Sequence, residues 1–217
     1  MNDTIFREIN EELRRDRLLA LWRKYGRLVI GGAVALVLVV AGKTGWDEYN
    51  RRQALADGLR YHVATELLRQ GNEDAARAAF AALAEDGRGG YVTLARLHEA
   101  AIVSAQGDTE GAIRIYQAIA GDNSVPDSLR SLARILSAFR RIDREDPETL
   151  VGELAPLTGM ENPWRHSALE ITALVAIRAG EIGKAREIYT KLATDPEAPR
   201  MLRQRAEQMA TALSEES

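Results

Sequence analysis

Three stretches of this chain repeat one pattern, and the pattern leaves little choice of fold. They begin at Gly71, Gly107 and Gly180. Five residues after each glycine stands an alanine (Ala76, Ala112, Ala185), nine after it an aromatic (Phe80, Tyr116, Tyr189), and twelve after it Leu83, Ile119 or Leu192. Ala84, Ala120 and Ala193 come next, then Asp86, Asp122 and Asp195, and another alanine precedes each glycine by seven residues (Ala64, Ala100, Ala173). Steps of three and four residues are helical steps. A glycine at the end of one helix supplies the left-handed residue that turns the chain. Alanines let two helices approach closely, and the aromatic fills the space between neighbouring pairs. One such pair cannot bury its apolar face alone, so pairs must stack. The glycines lie 36 and 73 residues apart, so a degenerate unit is expected between the second and third, with residues 143–160 as the candidate. Pro126 and Pro199, each nineteen residues after a glycine, suit the first turn of a following helix. Helices are expected near residues 73–86, 91–106, 109–121, 126–141, 147–156, 164–179 and 182–194, with a charge-rich helix at 198–213 closing the stack.

This arrangement resembles the tetratricopeptide repeat (TPR). Ala64, Ala100 and Ala173 match its small residue in the first helix, Ala76, Ala112 and Ala185 that of the second, and Phe80, Tyr116 and Tyr189 the aromatic that follows. The match has departures: Arg60, Arg96 and Leu169 stand at the first-helix tryptophan position, the late alanine is shifted by one, and the period is two or three residues too long. The resemblance implies an all-α fold, a TPR-like α-solenoid of helical hairpins. In such solenoids the first helix of each hairpin lines a concave surface. By spacing, that surface takes in Tyr61, Thr65 and Arg69, then Leu97, Ala101 and Ser104, then Glu170, Leu174 and Arg178. These nine are the candidate partner groove; the alternative is plain scaffold surface.

A second feature lies upstream. Residues 28–42 read LVIGGAVALVLVVAG, without a charge or a polar side chain. A helix apolar on every face must be covered by protein or by lipid. Nine of the fifteen residues are Leu, Ile or Val, which favour lipid by roughly 3 to 5 kcal/mol together. Fifteen residues rise only about 22 Å against a bilayer core of about 30 Å. The flanks extend the run: Tyr25 to Trp46 spans about 33 Å of helix, with Arg27 and Lys43 near its ends and Trp22, Tyr25, Trp46 and Tyr49 bracketing it. A buried core helix and a cleaved leader ending near Val39 and Ala41 are the other readings. Five acids in the first 27 residues speak against a leader, and the paired aromatic and basic flanks favour an uncleaved span. Residues 8–27 carry six Lys and Arg and residues 43–62 carry four, so the N-terminus is expected in the cytoplasm and the rest outside. The expected organisation is a cytoplasmic segment 1–24, a transmembrane helix 25–46 continuing to about Arg69, and a helical repeat domain 47–217.

Composition narrows the chemistry. From Asn50 onward 21 Lys and Arg face 25 Asp and Glu, a net charge of −4, the opposite of a nucleic-acid surface. The chain has no cysteine, so it forms no disulfide and no thiolate site. Gly42, Lys43 and Thr44 echo the end of a phosphate-binding loop, but Val37 occupies the place of its first glycine. His62 with Glu66, and His166 with Glu170, sit one helical turn apart, and two ligands make a poor metal site. The run from Asp143 to Glu148 reads as a charged loop entering a helix, with a cation site as the lesser alternative. Gly31 and Ala35 are a small-residue pair suited to close helix contact. No grouping suggests a nucleophile, so no catalytic residue, cofactor or metal is expected.

Over its whole length, the order of tail, apolar run ending in Gly45-Trp46, aromatic-basic stretch (Tyr49, Arg51, Arg52) and repeat array resembles the YfgM family of bacterial inner-membrane proteins. That resemblance implies a non-enzymatic ancillary subunit of the SecYEG translocon, anchored in the inner membrane with its repeat domain in the periplasm. It would work beside the chaperone PpiD on unfolded, secreted polypeptides. The alternative is a TPR scaffold for assembly of another cell-envelope complex.

Overall fold

The computed structural model describes the backbone of residues 3–215 and the side chains of residues 25, 31–32 and 36–214. Every regular element among the described residues is helical. Helix α1 runs Asp3–Arg69, α2 Glu73–Asp86, α3 Gly90–Ala105, α4 Thr109–Gly121 and α5 Asp127–Arg141. Then come α6 Pro147–Leu154, α7 Arg165–Arg178, α8 Ile182–Thr194 and α9 Arg200–Glu215. The chain divides into two compact units, Met1–Leu55 and Ala56–Ser217. In the first, Leu36, Val37, Leu38, Val39 and Val40 are each 56 to 69% exposed. Among the described residues no helix is long and apolar enough to cross a membrane. The side chains of residues 1–24, 26–30 and 33–35, among them Trp22, Arg27 and Ala35, lie outside the described set. The expectations resting on them lie outside it too.

In the second unit the repeat pattern becomes hairpins. Gly71, Gly107 and Gly180 adopt φ of 78°, 94° and 77°, the left-handed region that costs a side-chain-bearing residue about 1–2 kcal/mol. Around each, two backbone bonds close the same motif. The Gly71 N–H donates to the Leu68 carbonyl at 3.0 Å and the Asn72 N–H to that of Leu67 at 3.0 Å. Gly107 and Asp108 repeat this on Ser104 and Val103, and Gly180 and Glu181 on Ile177 and Ala176. The next helix is capped at once: Asp108 accepts from the Gly111 N–H at 2.7 Å and Asn72 from that of Ala75 at 3.4 Å.

The degenerate unit is the hairpin α5–α6. Its first-helix alanine is Ala138, twelve residues before Leu150, the spacing that separates Ala64 from Ala76, Ala100 from Ala112 and Ala173 from Ala185. Glu145 holds the glycine position, and no positive φ occurs in this turn. Side chains hold it instead. Arg141 donates to Glu153 at 2.6 Å and to Glu145 at 2.9 Å. Asp146 caps α6 by accepting from the Thr149 N–H at 2.9 Å, and the bonds from Thr149 hold its carboxyl below the usual range. The charged run is therefore a structural turn. Helix α6 ends at Leu154, earlier than expected, because Pro156 has no N–H to continue the ladder; one 3-10 turn, Ala155–Leu157, follows. Pro126 and Pro199 stand just before α5 and α9 rather than within their first turns.

From α2 onward each helix packs on its chain neighbours, α5 also packs on α7, and α1 joins α2 through Ala64 in the cluster around Phe80. Phe80, Tyr116 and Tyr189 are fully buried, each among residues of three successive helices. Phe80 sits with Ala64, Ala76, Ala95 and Ile102, Tyr116 with Ala100, Ala112 and Ala133, Tyr189 with Ala173, Ala185 and Ala206. In the third unit Leu150, Leu154 and Leu157 replace alanine, aromatic and leucine in the same buried register. Alanine plus phenylalanine carries as many side-chain carbons as two leucines, so the volume filling the joint is conserved. Helix α9 buries Leu202, Ala206 and Leu213 and exposes Arg200, Gln204, Glu207 and Gln208, which gives the stack a polar end.

Candidate protein-binding groove

The residue following each first-helix alanine is Thr65 on α1, Ala101 on α3, Phe139 on α5 and Leu174 on α7. On α5 and α7 these side chains face the same cavities. Phe139 and Leu174 line a cavity of about 440 Å³ together with Leu136, Ile171 and Met209, so its floor is apolar and is formed by α5, α7 and α9. The same two side chains border a second cavity of about 490 Å³, completed by Ile142 and Ile177. Both volumes fall in the range of ligand-binding clefts. Phe139 remains 48% exposed, beside the half-buried Leu136 and Leu174, so its ring adds to a contiguous apolar surface rather than standing alone.

Charge is arranged around this floor. At one end Arg205 clasps Glu170 through two bonds of 2.6 and 2.9 Å, which raises the Arg205 pKa. Burial pushes the neighbouring Tyr189 hydroxyl up to about 12, with the Glu170 charge adding to it. At the other end stand Arg140, Arg144, Arg178 and Asp143. Arg144 is bound to Glu110 at 2.5 Å, and the Arg140 guanidinium lies 5.7 Å from the Phe139 ring centroid. Four arginines against two acids line the two cavities, on a chain whose net charge is −3.

Of the nine residues expected from the sequence, Glu170, Leu174 and Arg178 line these cavities. The other six do not. Leu97 is a correction: it is 8% exposed and belongs to the core around Tyr116, because α3 is packed between α2 and α4. Tyr61 is half-buried, its hydroxyl 2.7 Å from His98 Nε2, within a ring cluster with Phe80 and Tyr91. The Thr65 hydroxyl donates to the His62 carbonyl. Arg69 is bound to Glu66 at 2.7 Å, and that contact with Gln70 holds the Glu66 carboxyl at about 2. Ala101 is exposed and Ser104 half-buried.

The histidine pairs are also rearranged. His166 Nε2 lies 2.9 Å from Asp195, not on Glu170. A backbone bond from Glu197, then His166 and Arg165, hold Asp195 at about 2. Among the described residues no group of three or more His, Asp or Glu side chains is placed to hold a metal ion. What the groove offers is apolar area and hydrogen-bonding cations.

The residues missed from sequence are Leu136, Phe139 and Arg140 on α5 and Arg205 and Met209 on α9. Ala138 was the available signal: once it is set in register with Ala173, Phe139 falls into register with Leu174. No curated protein matches the chain. The family pattern described as a tetratricopeptide repeat-like domain matches residues 20–211, and with most of its length covered the chain belongs to the tetratricopeptide repeat-like domain family.

Proposed function

We propose that this protein is a non-enzymatic, membrane-anchored scaffold that binds other proteins through the α5–α7–α9 groove. The observation that carries the reading is the half-exposed Phe139 on an apolar floor, at the first-helix positions that TPR-like arrays use for partners. Two further observations support the anchor. Residues 36–40 expose large aliphatic side chains, which water does not favour and lipid does. The family match begins at residue 20 and so includes the apolar run. An anchor raises the effective concentration of the groove at the membrane and strengthens weak contacts without adding new ones.

The whole-length resemblance to the YfgM family supports the finer reading: an ancillary subunit beside the SecYEG translocon and a PpiD-type chaperone, handling secreted polypeptides at the periplasmic face of the inner membrane. Two experiments test it. An alkaline-phosphatase fusion at the C-terminus is expected to be active; a well-expressed, inactive fusion beside an active periplasmic control reverses the topology. Deletion of residues 1–45 is expected to abolish co-purification with SecYEG, and retained co-purification overturns the tether.

A further inference from the structure

Resting on the protein-binding reading above, we infer that the α5–α7–α9 groove selects a class of segment: one with bulky apolar side chains followed closely by acidic ones. The apolar part of the argument is the floor. Phe139 and Leu174 are shared by both cavities, so the two lie side by side along one floor. Such a floor takes two adjoining large side chains rather than one. The charged part is the rim. Arg205 and Arg144 are already neutralised by Glu170 and Glu110. Among the described residues, neither Arg140 nor Arg178 has a carboxylate within ion-pair distance, although the charge of Arg178 is felt at Asp146. Asp143 is the opposing charge in that cavity, so the end bounded by Arg140 and Arg178 keeps a net positive character. Arginine hydrogen-bonds carboxylates in a planar, two-pronged manner. An acidic side chain arriving there would gain that contact, and a lysine would meet like charge.

The test uses the full chain in lipid nanodiscs and fluorescence anisotropy with three labelled peptides: two leucines followed by two aspartates, the same with lysines for aspartates, and the same with alanines for leucines. The aspartate peptide is expected to bind about tenfold more tightly than the lysine peptide, with the margin shrinking as salt is raised. The alanine peptide is expected to bind at least as weakly as the lysine one. The exposed-residue variant R140E/R178E should reverse the charge preference while keeping the circular dichroism of the parent. Leucine-dependent binding that ignores charge, or a preference that R140E/R178E leaves unchanged, overturns this inference and leaves the scaffold reading standing. Equal binding of the leucine and alanine peptides overturns both.

Discussion

The third repeat offers a stringent test of how the array is held together. Leu150 and Leu154 are fully buried there, where the other repeats carry alanine and an aromatic. Leu150→Ala alone opens a cavity in a cluster with Ile135, Ala138 and Ile171 and is expected to cost about 2–5 kcal/mol. Leu154→Phe alone overfills the same joint and is expected to cost about 1–3 kcal/mol. The double substitution restores the pattern of the other repeats and conserves carbon count, so it is expected to cost less than about 1.5 kcal/mol. The two changes should therefore couple by about 1.5 kcal/mol or more in the favourable direction. Trp164 packs against this cluster and bonds through its ring nitrogen to the Ser128 carbonyl. With Trp22 and Trp46 replaced by Phe, its fluorescence reports urea unfolding of this repeat. Additive losses, with the double variant as unstable as the sum of the singles, would refute the register that places Leu150 and Leu154 in one joint.

Three further outcomes follow from local geometry. Gly180→Ala should lower stability by about 1–2 kcal/mol through backbone strain alone, since nothing lies within 4 Å of the added carbon; Gly152→Ala, inside α6 and equally unobstructed, should raise it by about 0.5–1 kcal/mol. Urea midpoints with opposite signs check this pair. Buried Asp57 accepts from the Arg88 backbone N–H at 2.9 Å, so Asp57→Ala should cost about 1–3 kcal/mol, and Asp57→Asn, which keeps an acceptor, clearly less in the same assay. Burial holds the His98 imidazole below its usual range, so the unfolded chain binds that proton more readily than the folded one. Its contribution is complete above the unfolded value of about 6.5 and is lost as pH falls from there towards the folded value. The drop in urea midpoint between about pH 7.5 and about pH 5.5 should be smaller in His98→Gln; an equal drop refutes the assignment.

Much of the array was legible in the sequence because glycine, alanine and an aromatic do physically distinct jobs at fixed spacing. Gly71, Gly107 and Gly180 mark turns that need a left-handed residue, and the turns form where expected. The third repeat was hard to read because it solves the same problems with other residues: an Arg141 ion-pair clasp for the glycine turn, and two leucines for alanine and aromatic. Only Ala138 kept its identity. That substitution hid the groove as well, since Phe139 takes its place from Ala138. Leu97 was misplaced for a different reason. Spacing along a helix gives a face, but only the packing of α2 and α4 on either side of α3 decides how much of that face is covered.

The central claim is that the protein works by holding partners in the α5–α7–α9 groove. Site-specific photocrosslinking in intact membranes tests it most directly, with a photoreactive side chain at Phe139, at Leu174 or at Thr190, an exposed position on α8. Discrete protein adducts from Phe139 and Leu174, and none from Thr190, are the expected result. No adduct from either groove position, or an equal yield from Thr190, contradicts the account.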